Sequence, residues 1–348
     1  MKKAILSMAV FVFVVMQTIS ISYGATEEEI SKVKETLKRE EPQRVLPSDI
    51  RQGGLLLKKG QMELDLTFTY AHFSENQIFI EGFALLPVLV IGEITVEKIK
   101  RDIFIGSVTG KIGITDRLQF EITLPYRYQY ERYFRPNVSI ANQEEVNDHG
   151  GMGDVYGSLL YHAILEGAST PHVVVGLTYK STSGDSIFDI NPQKGEVPLG
   201  TGFHSLKGIV SVIKTADPAV VFLNFGYTYN FSRKGDVYIA SQDATTKEIV
   251  YTRERSKFRP GDTFELGFGV AYALSYKFAL NTQYQHSITL KTAKDDDEIE
   301  GTFLNVGFIK LGGVWAWSEM TSMELSTTFG VTADAPDVVV ESRVSYRF

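Results

Sequence analysis

The chain has 348 residues, a formal net charge of −7 and no cysteine. The lack of cysteine excludes disulfide scaffolds and thiolate metal sites, and the acidic balance without a basic cluster argues against a nucleic-acid partner. Beyond the N-terminal region, no stretch offers the ~18 apolar residues of a membrane-spanning helix. A position within a membrane would therefore require a closed β-barrel.

Residues 1–24 predict a secretory signal peptide. A basic start precedes an apolar run at 4–16, and the small residues Ser22 and Gly24 precede a cleavage point before Ala25. The apolar run is short for a spanning helix, so cleavage is favoured over an uncleaved anchor helix.

Residues 25–52 predict a periplasmic N-terminal segment, with a short helix at 26–41 followed by a linker. Ile30, Val33 and Leu37 form one narrow apolar stripe on this helix. We expect the helix to dock on the mouth of the domain that follows. Oligomerisation or partner binding is the alternative.

Residues 53–348 are dominated by strands in which apolar and polar residues alternate. Between Leu118 and Glu131 every even position is apolar or tyrosine, while polar residues such as Gln119 and Glu121 occupy the odd positions. A period of two identifies β-strands with a different solvent on each side. Strands are expected at residues 61–72, 100–114, 118–131, 151–165, 171–183, 202–214, 221–231, 264–272, 277–291, 301–317, 323–331 and 337–348.

The connectors between these strands alternate strictly in length. Short ones fall at 115–117, 166–170, 215–218, 274–276 and 318–322, and long ones at 73–99, 132–150, 184–201, 235–261 and 292–300. Short turns alternating with long loops are typical of outer-membrane barrels. We therefore predict an all-β fold, a transmembrane antiparallel β-barrel of about 12 strands integral to the outer membrane, with ten or fourteen strands as alternatives. Apolar residues on both faces of 301–317 predict either a bulge or a strand packed against something inside.

Nine short motifs occur in a characteristic order along the barrel region. They are Gly53–Leu57, Leu86–Gly92, Lys111–Gln119, Leu124–Tyr126, Gly150–Val155, Lys180–Asp185, Leu199–Phe203, Asp217–Ala219 and Pro260–Asp262. In this order the chain resembles the outer-membrane proteins grouped under the MetA pathway of phenol degradation. The resemblance implies a barrel that moves small aromatic or hydrophobic compounds, and it carries over no set of functional residues. The terminal Phe348 resembles the signal that the barrel-assembly machinery reads, which makes that machinery an expected partner beside outer-membrane lipid.

Charged and amide side chains recur on the polar face of the predicted strands. The candidate lumen-lining residues are Lys111, Glu121, Arg127, Asp154, His162, Lys180, Lys207, Glu265, Asn281, Gln283 and Gln285. One interpretation is a set of mutually neutralising pairs that bridge the wall. The other is a water-filled path of mixed charge that contacts a small-molecule solute. The residue types leave both open.

The first long connector contains an unexpectedly apolar run. Its candidate constriction residues are Phe83, Leu85, Leu86, Val88, Leu89, Val90 and Ile91. They predict either an extension of a strand or a hydrophobic constriction folded into the lumen. A constriction of this kind would suit a hydrophobic solute better than a sugar or an ion.

Three features suggest chemistry and are weighed against simpler explanations. The glycine-rich run 150–157 lacks the lysine and helix of a phosphate loop, so a turn into a strand is favoured. The acidic run 295–298 lacks calcium-loop spacing, which favours a solvated loop tip over a weak cation site. His72 and Ser74 have the spacing of an outer-membrane lipid hydrolase, but no matching continuation follows. We expect no metal site, no cofactor and no enzyme activity.

The favoured function is an outer-membrane channel for passive uptake of small hydrophobic or aromatic molecules. A plugged barrel with a structural or partner-binding role is the first alternative. A lipid hydrolase is the second.

Overall fold

The computed structural model describes residues 56–74, 78–80, 83–85, 98–135, 143–191, 196–242 and 249–348. The predicted signal peptide, the predicted helix at 26–41 and the candidate constriction residues Leu86 and 88–91 lie outside these ranges. Among the described residues, no helix is long and apolar enough to cross a membrane.

The described part of the chain forms β-strands. In chain order they are β1 (Met62–Phe73), β2 (Ile78–Ile80), β3 (Phe83–Leu85), β4 (Lys98–Thr115), β5 (Leu118–Arg135), β6 (Gln143–Met152), β7 (Tyr156–Ile164), β8 (His172–Lys180), β9 (Ser205–Ala216), β10 (Ala219–Asn230), β11 (Arg233–Gln242), β12 (Ile249–Arg259), β13 (Thr263–Ala273), β14 (Phe278–Thr289), β15 (Ala293–Lys294), β16 (Asp297–Glu298), β17 (Leu304–Ala316), β18 (Thr321–Gly330) and β19 (Val338–Arg347).

Twelve of these strands close into an antiparallel barrel, which confirms the predicted architecture and count. Around the wall the order is β1, β4, β5, β7, β8, β9, β10, β13, β14, β17, β18, β19 and back to β1. The closing seam pairs Glu63 with Arg347 at one end and His72 with Val338 at the other. Closure leaves no unpaired barrel edge, which is the condition for a sheet to stand in lipid.

The two faces of the wall differ as the alternation predicts. On β5, Ile122 and Tyr126 are exposed on the outside, at 42% and 53%, whereas Gln119, Arg127 and Gln129 are buried on the inside. A membrane barrel presents its apolar face to lipid and its polar face to the lumen. The outer face of this barrel therefore matches lipid.

The two ends of the barrel also differ. At the turn end, short connectors at 116–117, 165–171, 217–218, 274–277 and 317–320 join neighbouring strands. At the loop end, long connectors carry additional structure. In outer-membrane barrels the short turns face the periplasm and the long loops face outward.

Four of the predicted long connectors, 73–99, 132–150, 235–261 and 292–300, contain strands of their own. Within 132–150, β6 pairs with the upper part of β5, and within 235–261, β11 pairs with β12. β12 continues through β15 to β16 as a separate four-stranded sheet. These hairpins stand beyond the barrel wall, so their side chains do not alternate between lipid and lumen as those of the wall strands do.

The structure decides between the two alternatives for residues 301–317, a bulge or inward packing. β17 pairs with β14 from Leu304 to Trp315 without a register shift, so it has no bulge there. Leu304 and Val306 instead point inward and pack in an apolar cluster. In the first loop, the backbone at Phe83 and Leu85 forms β3, which pairs with β2 rather than extending a wall strand.

Candidate channel lumen

A cavity of about 370 Å³ lies inside the barrel wall. Much of its surface is formed by hydroxyl side chains: Thr67, Thr69, Ser107, Thr109, Thr123, Ser158, Thr178 and Ser211. Some of these hydroxyls bond to each other across strands, as Thr109 does with Thr123 at 2.9 Å and Ser158 with Thr178 at 2.9 Å. The lumen is therefore polar without being dominated by free charge.

The charged residues that line the cavity are balanced. They are the carboxylates Asp65, Glu121, Glu265 and Glu341 and the cations Lys111, Lys180, Lys207 and Arg343. Burying a charge is costly unless a partner of opposite sign lies close, so pairing allows these groups to occupy the wall. The lining carries four groups of each sign and no net charge.

The pairs connect neighbouring or nearby strands. Lys111 lies 2.7 Å from Asp65 and 3.2 Å from Glu63, across the β1–β4 pair. Lys207 on β9 lies 2.7 Å from Glu265 on β13. These contacts correspond to the first interpretation of the sequence, in which charges bridge the wall. Because the same residues line the cavity, the two interpretations are compatible.

The predicted lumen residues fall into two groups. Lys111, Glu121, Lys180, Lys207, Glu265, Gln283 and Gln285 line the cavity. Arg127, Asp154, His162 and Asn281 lie away from it. His162 is buried toward the turn end and stacks on His172, with ring centroids 5.4 Å apart. Asn281 is buried opposite Gly312 on β17.

Asp154 forms the centre of a buried junction toward the loop end. Its carboxylate lies 3.0 Å from the Lys180 ammonium and accepts hydrogen bonds from the backbone amides of Thr201, at 2.8 Å, and Gly184, at 3.1 Å. Lys180 also donates to the Phe203 carbonyl, at 2.7 Å, and to the Thr201 hydroxyl. One carboxylate thus ties the end of β8 to both ends of the β8–β9 connector.

Glycines make this junction possible. A Cβ added to Gly200 would lie 2.5 Å from Asp154 Oδ1, and one added to Gly184 would lie 2.9 Å from the Gly153 carbonyl carbon. Arg127 donates to the Leu199 carbonyl at 2.9 Å. Three of the motifs behind the family resemblance, at 150–155, 180–185 and 199–203, therefore meet at one point. Their spacing along the chain alone could not show this, because long-range contacts bring them together.

The β8–β9 connector forms a roof over one side of the loop end. We use roof for residues 181–191 and 196–204. Its Phe203 is buried with Val237 and Phe258 of the β11–β12 hairpin, and Phe188 packs against this cluster. The sequence predicts only a long connector at 184–201. The apolar residues Val197 and Leu199, both buried in the structure, were the signal that could have revealed its packing.

A second closure lies at the turn end. We use floor segment for residues 56–60. Leu56 packs with Leu160 and Val174, and Leu160 also lines the cavity. The Leu57 amide donates to Gln119 Oε1 at 2.7 Å. This stretch precedes the first predicted strand, and its sequence does not indicate contact with the lumen.

The inner wall is apolar in one further region. Ala71, Phe73, Ile103, Ile105, Leu304 and Val306 form a buried cluster on the loop-end parts of β1, β4 and β17. The kind of side chain on the inner wall therefore changes along the lumen. The apolar cluster lies at the loop end, the hydroxyl-rich cavity comes next, and the aliphatic contacts of the floor segment lie at the turn end.

His72 and Ser74 do not form the arrangement of a hydrolase. His72 Nδ1 lies 2.7 Å from Asp102 Oδ1, and its Nε2 lies 4.0 Å from Asp337 Oδ2. Both ring nitrogens therefore face carboxylates. A general base for Ser74 would need one nitrogen directed at the serine hydroxyl.

A closed twelve-stranded barrel with a lipid-matched exterior and a polar interior defines an integral outer-membrane β-barrel. Residues 53–348 match the family model described as "Putative MetA-pathway of phenol degradation". The chain belongs to that family, which confirms the resemblance seen in its motifs.

One solved structure shows the same fold. The chain is similar to an outer-membrane channel from Pseudomonas putida F1, with a TM-score of 0.60 and 11% identity over 88% of this chain and 100% of that one. Lower TM-scores of 0.42 relate it to the Pseudomonas putida toluene transporter TodX and to the translocator domain of autotransporter NalP from Neisseria meningitidis. Each shares 10% identity, over 84% of this chain and 90% of that one. At 11% identity the likeness to the Pseudomonas putida F1 channel concerns the fold alone.

Proposed function

We propose that this barrel is a passive channel for small uncharged molecules, including hydrophobic and aromatic ones. The observation that carries the proposal is the cavity of about 370 Å³ within the wall, whose four carboxylates are matched by four cations. A solute of small-molecule size fits such a space. Passage would be diffusion through the lumen, with no covalent step.

The charge balance supports uncharged solutes over ions. An ion that enters a narrow lumen loses hydration and needs fixed charges of opposite sign in return. Here each charge already has a partner nearby, as in the Lys207–Glu265 pair. The description of the family, which refers to phenol degradation, supports small aromatic molecules as solutes.

The roof and the floor segment are our candidates for the constriction. The roof packs over one side of the loop end, and Leu56 of the floor segment packs against cavity-lining Leu160. The apolar stretch 83–91 remains a proposal for a further constriction, of which only the backbone at 83–85 lies within the described residues.

The same closures favour one alternative function. A barrel with packed segments at both ends would also suit a plugged structural or partner-binding protein. The two functions differ in conductance, because a narrow open path carries some ions even when its solutes are uncharged.

Conductance in planar lipid bilayers tests the choice. We expect the purified mature protein to give small, brief current steps with little preference between K⁺ and Cl⁻. A correctly folded barrel that stays silent in repeated insertions would overturn the channel proposal and favour the plugged barrel. N-terminal sequencing of the exported protein tests the proposed signal peptide, with Ala25 expected as the first residue.

A further inference from the structure

One side of the cavity presents a positive group to the lumen. On β9, the side chain of Lys207 is 28% exposed, whereas that of its partner Glu265 is 10% exposed. Lys207 is also more exposed than the other cations that line the cavity, Lys111, Lys180 and Arg343. The cation is therefore the member of this ion pair that a solute in the lumen meets.

The arrangement on β19 is reversed. The side chain of Glu341 is 23% exposed. Its partners are Lys310, at 3.7 Å, and Arg343, at 3.1 Å, and the side chain of each is 12% exposed. Glu324, which pairs with Arg343 from β18, is buried. On this side a carboxylate is the group that a solute meets.

Lys207 and Glu341 lie on opposite sides of the barrel, because β9 and β19 are six strands apart in either direction around the wall. Cross-strand pairs followed from Lys207 through β8, β7, β5, β4 and β1 end at Arg347 on β19. Pairs followed the other way, from Ile213 through β10, β13, β14, β17 and β18, end at Val339.

These two routes also give the height of Lys207 along the barrel axis. β9 and β19 run in the same direction, and Lys207 precedes Ile213 by six residues, so the second route from Lys207 would arrive six residues before Val339. Barrel strands are tilted, which makes one route arrive too high and the other too low. The level of Lys207 falls midway between the two ends, within about one residue of Glu341.

The two exposed charges therefore act together across the lumen. Ion pairs that present opposite signs from facing walls add their fields, whereas pairs that present the same sign oppose each other. The cavity lining has four carboxylates and four cations, so this field acts without a net charge. Such a field separates neutral solutes by their internal charge separation, and it acts in a space where water screens charges less than in bulk.

We propose that Lys207 and Glu341 are the two poles of a transverse electric field that favours zwitterionic solutes over isomers without separated charges. This inference rests on the proposed function, since the field acts on a solute that passes through the lumen. It adds a preference set by two opposed side chains.

4-Aminobutanoic acid and 4-hydroxybutanamide provide a matched pair of probes, because they are isomers and only the first is a zwitterion at neutral pH. Entry is measured by the swelling of liposomes that contain the mature protein, with protein-free liposomes as the blank. We expect the zwitterion to enter about threefold faster, the effect of charge interactions as strong as those of exposed ion pairs. Equal rates would overturn the proposal.

Exchanging the charges of one pole is the sharpest variant. Lys207→Glu/Glu265→Lys keeps the composition and the net charge but places a carboxylate at the exposed position on β9. Both walls then present negative groups. The ratio of the two entry rates should fall close to one, and the reversal potential in a KCl gradient should shift toward K⁺. An unchanged ratio in a folded variant would overturn the proposal.

A second variant and a control complete the test. Lys207→Gln/Glu265→Gln removes the pole without leaving either charge uncompensated, and it should also bring the ratio close to one. It serves if the exchanged pair prevents folding. Lys291→Gln/Glu300→Gln removes an ion pair from the connector between β14 and β17, outside the cavity lining, and should keep the parent's ratio.

Entry of 4-hydroxybutanamide separates this inference from the proposed function. If both isomers enter at equal rates, the channel function stands and the field preference fails. If neither isomer enters and planar bilayers show no current, the channel function fails, and the preference fails with it.

Discussion

The two closures of the lumen are built from different interactions. The roof is held by a buried ion pair and hydrogen bonds around Asp154, with glycines packed backbone to backbone. The floor segment is held by aliphatic contacts of Leu56 and a few backbone hydrogen bonds, such as Gly60 to the Gly113 carbonyl at 2.8 Å. A buried charged junction tolerates little displacement, whereas aliphatic contacts weaken gradually. We infer that the roof is a fixed part of the fold and that the floor segment is the easier of the two to displace.

Asp154→Asn should have the largest effect. It removes the carboxylate that lies 3.0 Å from the buried Lys180 ammonium. Removing one partner of a buried ion pair typically costs about 3–5 kcal/mol, because the other charge is left without compensation. We expect a loss of this order in the free energy of unfolding, measured by urea titration of the barrel in detergent.

A second variant and a control make this result specific. In Asp154→Asn/Lys180→Met the uncompensated charge is gone, so at least half of the lost stability should return. Asp148→Asn removes an exposed carboxylate that accepts a hydrogen bond from Tyr128 at 3.0 Å, and it should have little effect. A double variant no more stable than Asp154→Asn would contradict a central role for the ion pair.

The contacts of the roof junction could not be predicted from the sequence. The twelve wall strands were predictable because successive residues of a wall strand face lipid and lumen in turn. Apolar and polar side chains therefore alternate within each strand, and the pattern is visible in a short stretch of sequence. Asp154 and Lys180 were recognised as inward-facing from the same alternation. That they hold a connector rather than face a solute depends on Gly184 and Thr201, which approach Asp154 only after the chain folds.

Gly113 controls the floor segment and should give the next largest effect. A Cβ at this position would lie 2.2 Å from the Lys58 carbonyl oxygen and 2.6 Å from that of Leu57. Gly113→Val must therefore push the floor segment away from the wall. We expect larger current steps in planar bilayers than for the parent protein, with the barrel still folded.

Gly110→Ala is the matched control for this experiment. It lies on the same strand, and its Cβ would meet only Ile122 Cγ2, at 3.8 Å. Its conductance should equal that of the parent. Unchanged current steps in a folded Gly113→Val barrel would show that the floor segment does not limit passage, leaving the roof as the narrower part.

The floor segment was missed in the sequence for a physical reason. Leu56 and Leu57 precede the first alternating strand, and two leucines in a row carry no period that assigns them to lipid or lumen. Gly113 did not indicate this contact either, because a glycine in a strand can mark a bulge, a bend or a close backbone approach. Only the contact between the two segments distinguishes these cases.

Glu166 should give the smallest effect, and one that depends on pH. It lies in the turn between β7 and β8, near the floor segment's end of the barrel. Partial burial raises the pKa of its carboxyl, but hydrogen bonds from the Thr215 amide and hydroxyl and from Lys214 outweigh this, and the pKa lies below its ordinary value of 4.5. A carboxylate with a lowered folded-state pKa stabilises the fold above the unfolded-state pKa, and this contribution is lost as pH falls through the folded value.

Glu166→Gln should therefore be less stable than the parent near neutral pH, and the difference should shrink as pH falls below 4.5. Urea unfolding at a series of pH values, followed by the fluorescence of the two tryptophans, measures this difference. Glu319→Gln, an exposed change in the turn between β17 and β18, is the control and should follow the parent at every pH. A gap between Glu166→Gln and the parent that stays constant with pH would mean that the side chain acts through packing rather than through its charge. In that case the turn end of the barrel would owe little to the charge of Glu166, and the contrast between a charged roof and an aliphatic floor would become sharper.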